Sequence, residues 1–189
     1  MKRTEICSPK WYVLYTNPNG GKKVDLKCKE KGVESFLPLH SVVRQWSDRK
    51  KKLEVPLFQN YIFVNTVPAR MHEVLQIRGV VRFVSFEGKP ATIPDQQILS
   101  IKKVLLNAPE VRPERYDPQL GARVRITSGV WTGVEGVVVK KEGSKWLVIQ
   151  IESLNQAISV RVPANTTISA PETVLGTLPP GSGNVALSA

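Results

Sequence analysis

From Trp11 to about Leu105 the apolar positions shift back and forth between strand-like runs and helical spacing. Each shift marks an element boundary. Trp11-Tyr12-Val13-Leu14-Tyr15-Thr16 is rich in strand-favouring residues and ends at the turn cluster Asn17-Pro18-Asn19-Gly20-Gly21. Lys22 to Lys31 reads as a helix: Val24 and Cys28 share a face at i, i+4 with Leu26 beside them, lysines cover the rest, and Gly32 suits the C-cap. A strand is predicted at Val33–Leu39, running on to Trp46. Ser47-Asp48-Arg49-Lys50-Lys51-Lys52 then reads as a polar hairpin tip between extended segments. Leu57 to Val64 is the strongest strand signal. Pro68 opens a short helix through Ile77, with Met71, Val74 and Leu75 on one side. Val80–Phe86 is a further strand, ended by Gly88. Pro94 starts a third helix, in which Ile98, Ile101, Val104 and Leu105 recur at helical spacing. The order is β-α-β-β-α-β-α, which suits an antiparallel sheet with helices packed on it.

The pattern changes after residue 106. Asn107 to Pro118 has three prolines and no apolar period, and reads as a linker. Val124 and Ile126 then alternate with Arg123 and Arg125, as on a half-buried strand. Gly129, Gly133 and Gly136 stand where the chain bends sharply or passes close to another backbone. Val137–Val139, Trp146–Ile151 and Ala157–Val162 follow as strands, with turns near Glu142-Gly143-Ser144 and Leu154-Asn155-Gln156. About five short strands in ~50 residues fit a small β-barrel, whose closure removes exposed edges. The expected fold class is α+β: an extension over 1–10, an α/β sandwich with an antiparallel sheet over 11–106, a linker over 107–118, a small SH3-like barrel over 119–169, and a disordered Gly/Pro/Ser-rich tail over 170–189.

Charge sharpens this division. The 189 residues carry a formal charge of +11. Residues 1–110 hold 19 Lys/Arg against 10 Asp/Glu, whereas residues 111–189 hold 8 against 6. The positive field therefore belongs to the first domain. Such a field attracts polyanions; a solvated basic surface is the plainer alternative. Cys7 and Cys28 form no Cys-x-x-Cys and have no clustered His, so no structural zinc set is present and two reduced thiols are expected. His40 and His72 belong to no nucleophile motif, and Gly20-Gly21-Lys22 lacks the spacing of a phosphate loop. Neither an enzyme nor a cofactor is expected. No apolar run reaches ~20 residues and the first ten residues have no apolar segment, so a soluble, cytoplasmic protein without a membrane partner is expected.

Residues 121–139, Gly-Ala-Arg-Val-Arg-Ile-Thr-Ser-Gly-Val-Trp-Thr-Gly-Val-Glu-Gly-Val-Val-Val, resemble the KOW motif of small barrels that work on RNA and in transcription. Three earlier segments occur in a fixed order: Trp11-Tyr12-Val13-Leu14-Tyr15, then Pro56-Leu57-Phe58-Gln59-Asn60-Tyr61-Ile62-Phe63-Val64, then Arg78-Gly79-Val80-Val81-Arg82-Phe83-Val84 ahead of Ile93-Pro94. Together with the KOW segment they resemble the NusG family of transcription elongation factors, with an N-terminal NGN domain and a KOW domain. Arg44 to Lys52, leading into Pro56-Leu57-Phe58, resembles the specialised RfaH and UpxY paralogues, which are antiterminators dedicated to long operons, often for surface polysaccharides. Gln59 stands where those relatives usually carry Pro, and Asn19-Gly20-Gly21 where helix formers or charges are usual.

The resemblance implies a monomer that docks on the clamp helices of the large RNA-polymerase subunit through an apolar cavity lined by Val13, Tyr15, Phe58, Tyr61, Val80 and Phe86. Strict strand alternation would put Phe58 and Tyr61 on opposite faces unless a turn or bulge intervenes near Gln59. Ordinary sheet core is the alternative for each of the six. Lys22, Lys23, Lys27 and Arg78 match positions near the non-template DNA strand. Arg49 and Lys50, in the densest cationic cluster, are placed to reach DNA or polymerase, or serve as a solubilising loop. Val130 and Trp131 in the KOW loop are candidate contacts for ribosomal protein S10 or Rho, with Trp131 alternatively a plug for the barrel. Strong β preference over Val137–Val139 and Ile158–Val162 predicts a barrel that does not refold as helix. Two further readings stay open: a general elongation and Rho-coupling factor, and a ribosome-associated RNA-binding protein.

Overall fold

The computed structural model describes residues 8–46, 49–86, 88–108, 110–117, 123–141, 144–162 and 166–169. Most of the expected N-terminal extension, Ser47-Asp48 of the hairpin tip, Gly121, Glu142-Gly143 and the expected tail over 170–189 lie outside the described residues. The chain forms β1 (Lys10–Thr16), α1 (Gly21–Glu30), β2 (Glu34–Phe36), β3 (Leu39–Gln45), β4 (Lys50–Pro56) and β5 (Tyr61–Thr66). A 3-10 turn at Pro68–Arg70 leads into α2 (Met71–Leu75). Then come β6 (Val80–Phe83), β7 (Ser85–Phe86), β8 (Lys89–Pro90), β9 (Thr92–Ile93) and α3 (Asp95–Asn107).

Strand β1 is the hub of the first domain. The sheet order is β2-β5-β1-β6, with β9 also pairing β1, and every pairing is antiparallel. Alternation along β1 sends Tyr12, Leu14 and Thr16 to one face and Trp11, Val13 and Tyr15 to the other. On the first face Tyr12 and Leu14 pack with Ile62, Val64 and Phe83 against Val24 and Cys28 of α1 and Val74 at α2. On the second, Trp11, Val13, Phe63 and Ile93 pack with Ile98, Ile101 and Val104 of α3. Both faces are covered by helices, so the core forms two layers. Burial of each large apolar side chain contributes about 1.5–3 kcal/mol.

Several boundaries differ from expectation for local reasons. The strand expected to run from Val33 to Trp46 breaks at Leu37-Pro38, because Pro38 cannot donate to a continuing ladder. Its first part joins the main sheet as β2. Its second pairs only with β4, from Leu39↔Pro56 to Gln45↔Lys50, as a separate two-stranded ribbon. The strand expected at Leu57–Val64 starts at Tyr61, because a turn occupies 57–60 with Asn60 at φ 66. Helix α1 closes as the Lys22–Lys31 reading required: Val33 N–H donates to Cys28 O at 2.9 Å and Gly32 N–H to Lys29 O at 3.0 Å, which satisfies its last carbonyls. Leu26, however, is exposed.

The C-terminal domain is one antiparallel sheet of β10 (Val111–Arg115), β11 (Arg123–Ile126), β12 (Glu135–Lys141), β13 (Ser144–Ile151), β14 (Gln156–Arg161) and β15 (Ile168–Ser169). Its order is β10-β14-β13-β12-β11-β15. Strand β10 lies inside the stretch expected as linker. It pairs with β14 from Val111↔Val160 to Arg115↔Gln156. Pro113 hides the strand in the sequence, yet an edge strand tolerates proline because one side of its backbone meets no neighbour. Ile126, Leu147, Ile158 and Val160 are fully buried. Gly133 adopts φ +84 at the loop bend, and a Cβ on Gly136 would lie 2.6 Å from Val148 O. Those two glycines therefore set the bend and the close strand approach expected of this segment.

Helix α3 also faces this second domain. Gln97 Nε2 donates to Gln150 O at 2.6 Å, Lys103 Nζ to Thr132 O at 2.9 Å and Gln96 Nε2 to Gly133 O at 3.2 Å.

Candidate functional site

The aromatic candidates lie on the α3 side of the first sheet. Tyr15 and Tyr61 are direct cross-strand partners in β1 and β5. Their rings meet edge to face, with centroids 5.5 Å apart. On the other flank of β1, Arg82 is opposite Tyr15, and its guanidinium carbon lies 5.7 Å from the ring centre. Both tyrosines are only half-buried, so part of each ring faces solvent. A cation over a ring and an edge-to-face pair fix the two side chains before any partner arrives.

Val13 and Phe58 lie on the same side but beneath the surface. The turn over 57–60 brings Phe58 round to the face of Tyr61, where its ring meets Phe63 edge to face at 5.9 Å. Phe58 is 1% exposed and Val13 fully buried. The hollow inferred at these two positions is filled by the protein's own side chains. What remains accessible is the Tyr15–Tyr61 surface above it.

Val80 does not join this group. The register shifts between Tyr15 and Thr16, so Val80 pairs with Thr16 and packs on the α1/α2 side of the sheet. Phe86 is 61% exposed in the β7–β8 hairpin. It lines a cleft of about 470 Å³ with Ile93 and Ser100 of the first domain and Glu135 and Ile149 of the second. The candidates that come together are thus Val13, Tyr15, Phe58 and Tyr61. Arg82 and Val84 were missed. Val84 packs on the α3-side cluster and its N–H donates to Val13 O at 2.8 Å. Phe83 packs on the α1/α2 side, which puts its neighbours Arg82 and Val84 on the α3 side, so alternation at the end of β6 was the available signal.

The cationic candidates at α1 follow the C-terminal end of β1, the end that carries Tyr15. Lys22 and Lys23 are exposed in the first turn of α1, and Lys27 is half-buried one turn on. Asn17 N–H donates to Gly79 O at 2.9 Å, which holds exposed Arg78 beside the start of α1. Lys22 Nζ donates to Glu54 O at 2.8 Å and ties the helix to β4 of the ribbon. Arg49 and Lys50 are exposed at the outer end of that ribbon. Lys29 is set apart from this group by its ion pair with Asp25 at 2.7 Å.

In the second domain Val130 is 61% exposed, whereas Trp131 is 1% exposed. Of these two, Val130 is the one that offers surface at the loop. Among the described residues no three His, Cys, Asp or Glu side chains gather as a metal site, and no helix is long and apolar enough to cross a membrane. Burial and the Asp25 carboxylate push the Cys28 thiol up to about 11, so it stays protonated and unreactive at neutral pH. Burial holds the His40 imidazole below its ordinary range.

Residues 9–102 match the family model described as "Transcription termination factor nusG". The chain belongs to the NusG family. It is 25% identical over 166 residues to the "Transcription termination/antitermination protein NusG" of Lactococcus lactis subsp. lactis (strain IL1403), covering 80% of this chain and 88% of that one. A solved structure described as "Domain interaction in Thermotoga maritima NusG" is similar at 22% identity, with a TM-score of 0.47, over 81% of this chain and 93% of that chain. The NusG-family match runs from just before β1 into α3, so it contains the tyrosine pair, the cationic end of α1 and the ribbon.

Proposed function

We propose that this NusG-type transcription termination/antitermination factor docks on the clamp helices of RNA polymerase through the Tyr15–Tyr61 surface, with Phe86 of the β7–β8 hairpin as a separate exposed contact. Val13 and Phe58 support that surface from below. Lys22, Lys23, Lys27, Arg78, Arg49 and Lys50 hold the non-template DNA strand alongside. The C-terminal sheet is a KOW domain that recruits ribosomal protein S10 or Rho through Val130. The observation that carries this reading is the preset pair of half-buried tyrosines beside Arg82, in the domain that also holds the positive charge. Aromatic and arginine side chains commonly dominate interface energetics, since they add contact area at low entropic cost.

The run Arg44 to Lys52 leading into Pro56-Leu57-Phe58 supports a specialised RfaH/UpxY-like role on particular long operons. A general NusG role is favoured instead by the likeness to the Lactococcus lactis protein. Chromosome-wide occupancy separates them: enrichment on a few operons supports the specialised role, uniform occupancy the general one.

Capture of purified RNA polymerase by the full chain tests the docking surface. Tyr15→Ala with Tyr61→Ala is expected to lower capture at least about tenfold while the circular dichroism spectrum stays native. Undiminished capture by that folded double variant would reject the surface.

A further inference from the structure

The β3–β4 ribbon is divided along its length. Its inner rungs carry the half-buried apolar residues Val42 and Leu53. Its outer rungs are Val43↔Lys52, Arg44↔Lys51 and Gln45↔Lys50, and beyond them the Trp46 N–H donates to Arg49 O at 2.8 Å. Cross-strand partners share a face and neighbours alternate. Arg44, Trp46 and Lys51 therefore point to one side, and Lys50 and Lys52 to the other. All five are exposed, and no ion pair involves the four cations among the described residues. The ribbon forms its own two-stranded sheet, so neither of its edges pairs with a third strand, and the side chains of its outer half are exposed on both faces.

We infer that the outer half of this ribbon enters the major groove of B-form duplex DNA, with phosphates on both groove walls meeting cations on both ribbon faces. The inference rests on the reading that the chain works on transcribed DNA. It adds a second form of that DNA, the intact duplex, to the separated strand held by the α1 cations. A flat binding platform would need charge on one face only, because a single strand lies along one surface. Two-sided charge fits a slot. Strands about 4.8 Å apart with their side chains match a groove about 12 Å wide. The cationic rungs extend about 10 Å along the ribbon, close to a groove depth of about 8.5 Å. The major groove of A-form RNA is too deep and narrow for side chains to read, which disfavours an RNA duplex. Trp46 gives the end of the ribbon an apolar surface suited to the base edges, thymine methyl groups included. The Lys22–Glu54 hydrogen bond joins the ribbon to α1, so the two cationic regions adjoin.

The test uses the full chain and three probes of equal length and sequence: duplex DNA, single-stranded DNA and duplex RNA, followed by fluorescence anisotropy over a salt series. One variant combines Arg44→Ala with Lys51→Ala, the other Lys50→Ala with Lys52→Ala. Wild type is expected to prefer duplex DNA. Each variant is expected to weaken that binding about tenfold or more and to flatten the log–log salt dependence by about 2, one counterion release per lost phosphate contact. Trp46 gives a second readout. It is 54% exposed while Trp11, Trp131 and Trp146 are buried, so acrylamide quenching reports mainly on it. Duplex DNA should protect it in wild type and not in either variant. Loss from one pair alone would mean a flat platform and overturn the inference. An equal loss of single-stranded DNA binding in the two variants, equal or tighter binding of duplex RNA, or no duplex binding at low salt, would overturn it too. Circular dichroism checks that both variants stay folded. Capture of RNA polymerase is read separately on the wild type: duplex binding without capture would fail the docking reading alone, and capture without duplex binding would fail this inference alone.

Discussion

The two domains bury their sheets by different means, and the difference decides where each has surface left to use. The first seals one face of its sheet with α1 and α2 and the other with α3. Its usable chemistry therefore collects where the cover ends: at Tyr15 and Tyr61, at the start of α1, and on the ribbon that leaves the sheet. The second domain has no α-helix among its described residues and buries its apolar positions within its own sheet and toward α3. Its usable surface is left to loops such as that of Val130 and to exposed strand side chains such as Arg115. Charge follows the same division, with 19 Lys/Arg against 10 Asp/Glu up to residue 110 and 8 against 6 beyond it. A domain with projecting elements can present a field to a polyanion, while a sheet without them presents its loops and strand side chains.

The largest expected effect tests whether cover really separates support from contact. Phe58→Ala removes a ring that is 1% exposed and should cost about 3–5 kcal/mol in chemical denaturation. Tyr61→Ala, from a half-buried position, should cost about 1–2 kcal/mol. Its effect on polymerase capture should nevertheless be the greater once both proteins are compared at temperatures where they are folded. Equal destabilisation by the two variants would remove the distinction between the filled hollow and the surface above it.

A smaller effect separates the two cores by pH. The first core encloses Cys28, whose thiol is raised from 9.0 to about 11 by burial and by Asp25. The second encloses no ionisable side chain among its described residues. The folded value lies above the unfolded one, so the unfolded chain releases this proton first as pH rises. The stability held below pH 9 is lost progressively toward pH 11, by at most about 2–3 kcal/mol. Cys28→Ala lacks this dependence. The stability difference between wild type and the variant should therefore drift in favour of the variant from pH 8 to 11, with the change confined to probes in the first domain. A constant difference across that range would mean that the thiol titrates normally in the fold.

What could be read from residues alone follows the same physical line between local and long-range causes. The α1 face of Val24 and Cys28, the α3 face of Ile98, Ile101 and Val104, and the glycines of the 129–136 loop were legible because spacing and backbone freedom are local. The break at Leu37-Pro38 was masked by strand-favouring residues on both sides. Strand β10 was hidden by Pro113, since only the sheet order shows it to be an edge. At the candidate site, the lysines at the start of α1 were visible as charge. The side of Val80 was not, because it depends on the register shift between Tyr15 and Thr16, a property of two strands meeting. The filling of the hollow by Phe58 likewise needed the turn at Asn60 and the ring of Phe63, two features far apart from any single periodic signal.

The finest comparison is between two adjacent residues. Val130 and Trp131 share one loop, yet the first is 61% exposed and the second 1%. Val130→Asp should change stability by no more than about 0.5 kcal/mol, because it alters neither packing nor a hydrogen bond. If the loop is a contact site, the same substitution should lower capture of ribosomal protein S10 or Rho, whichever the domain recruits, because an interface core rarely accepts an unpaired carboxylate. Trp131 acts by the opposite route: its loss would open a cavity and weaken binding only by loosening the domain. A Val130→Asp protein with a native melting temperature and undiminished capture of both partners would leave the second domain without a contact residue at this loop, and would shift the search to the exposed side chains of its edge strand β10.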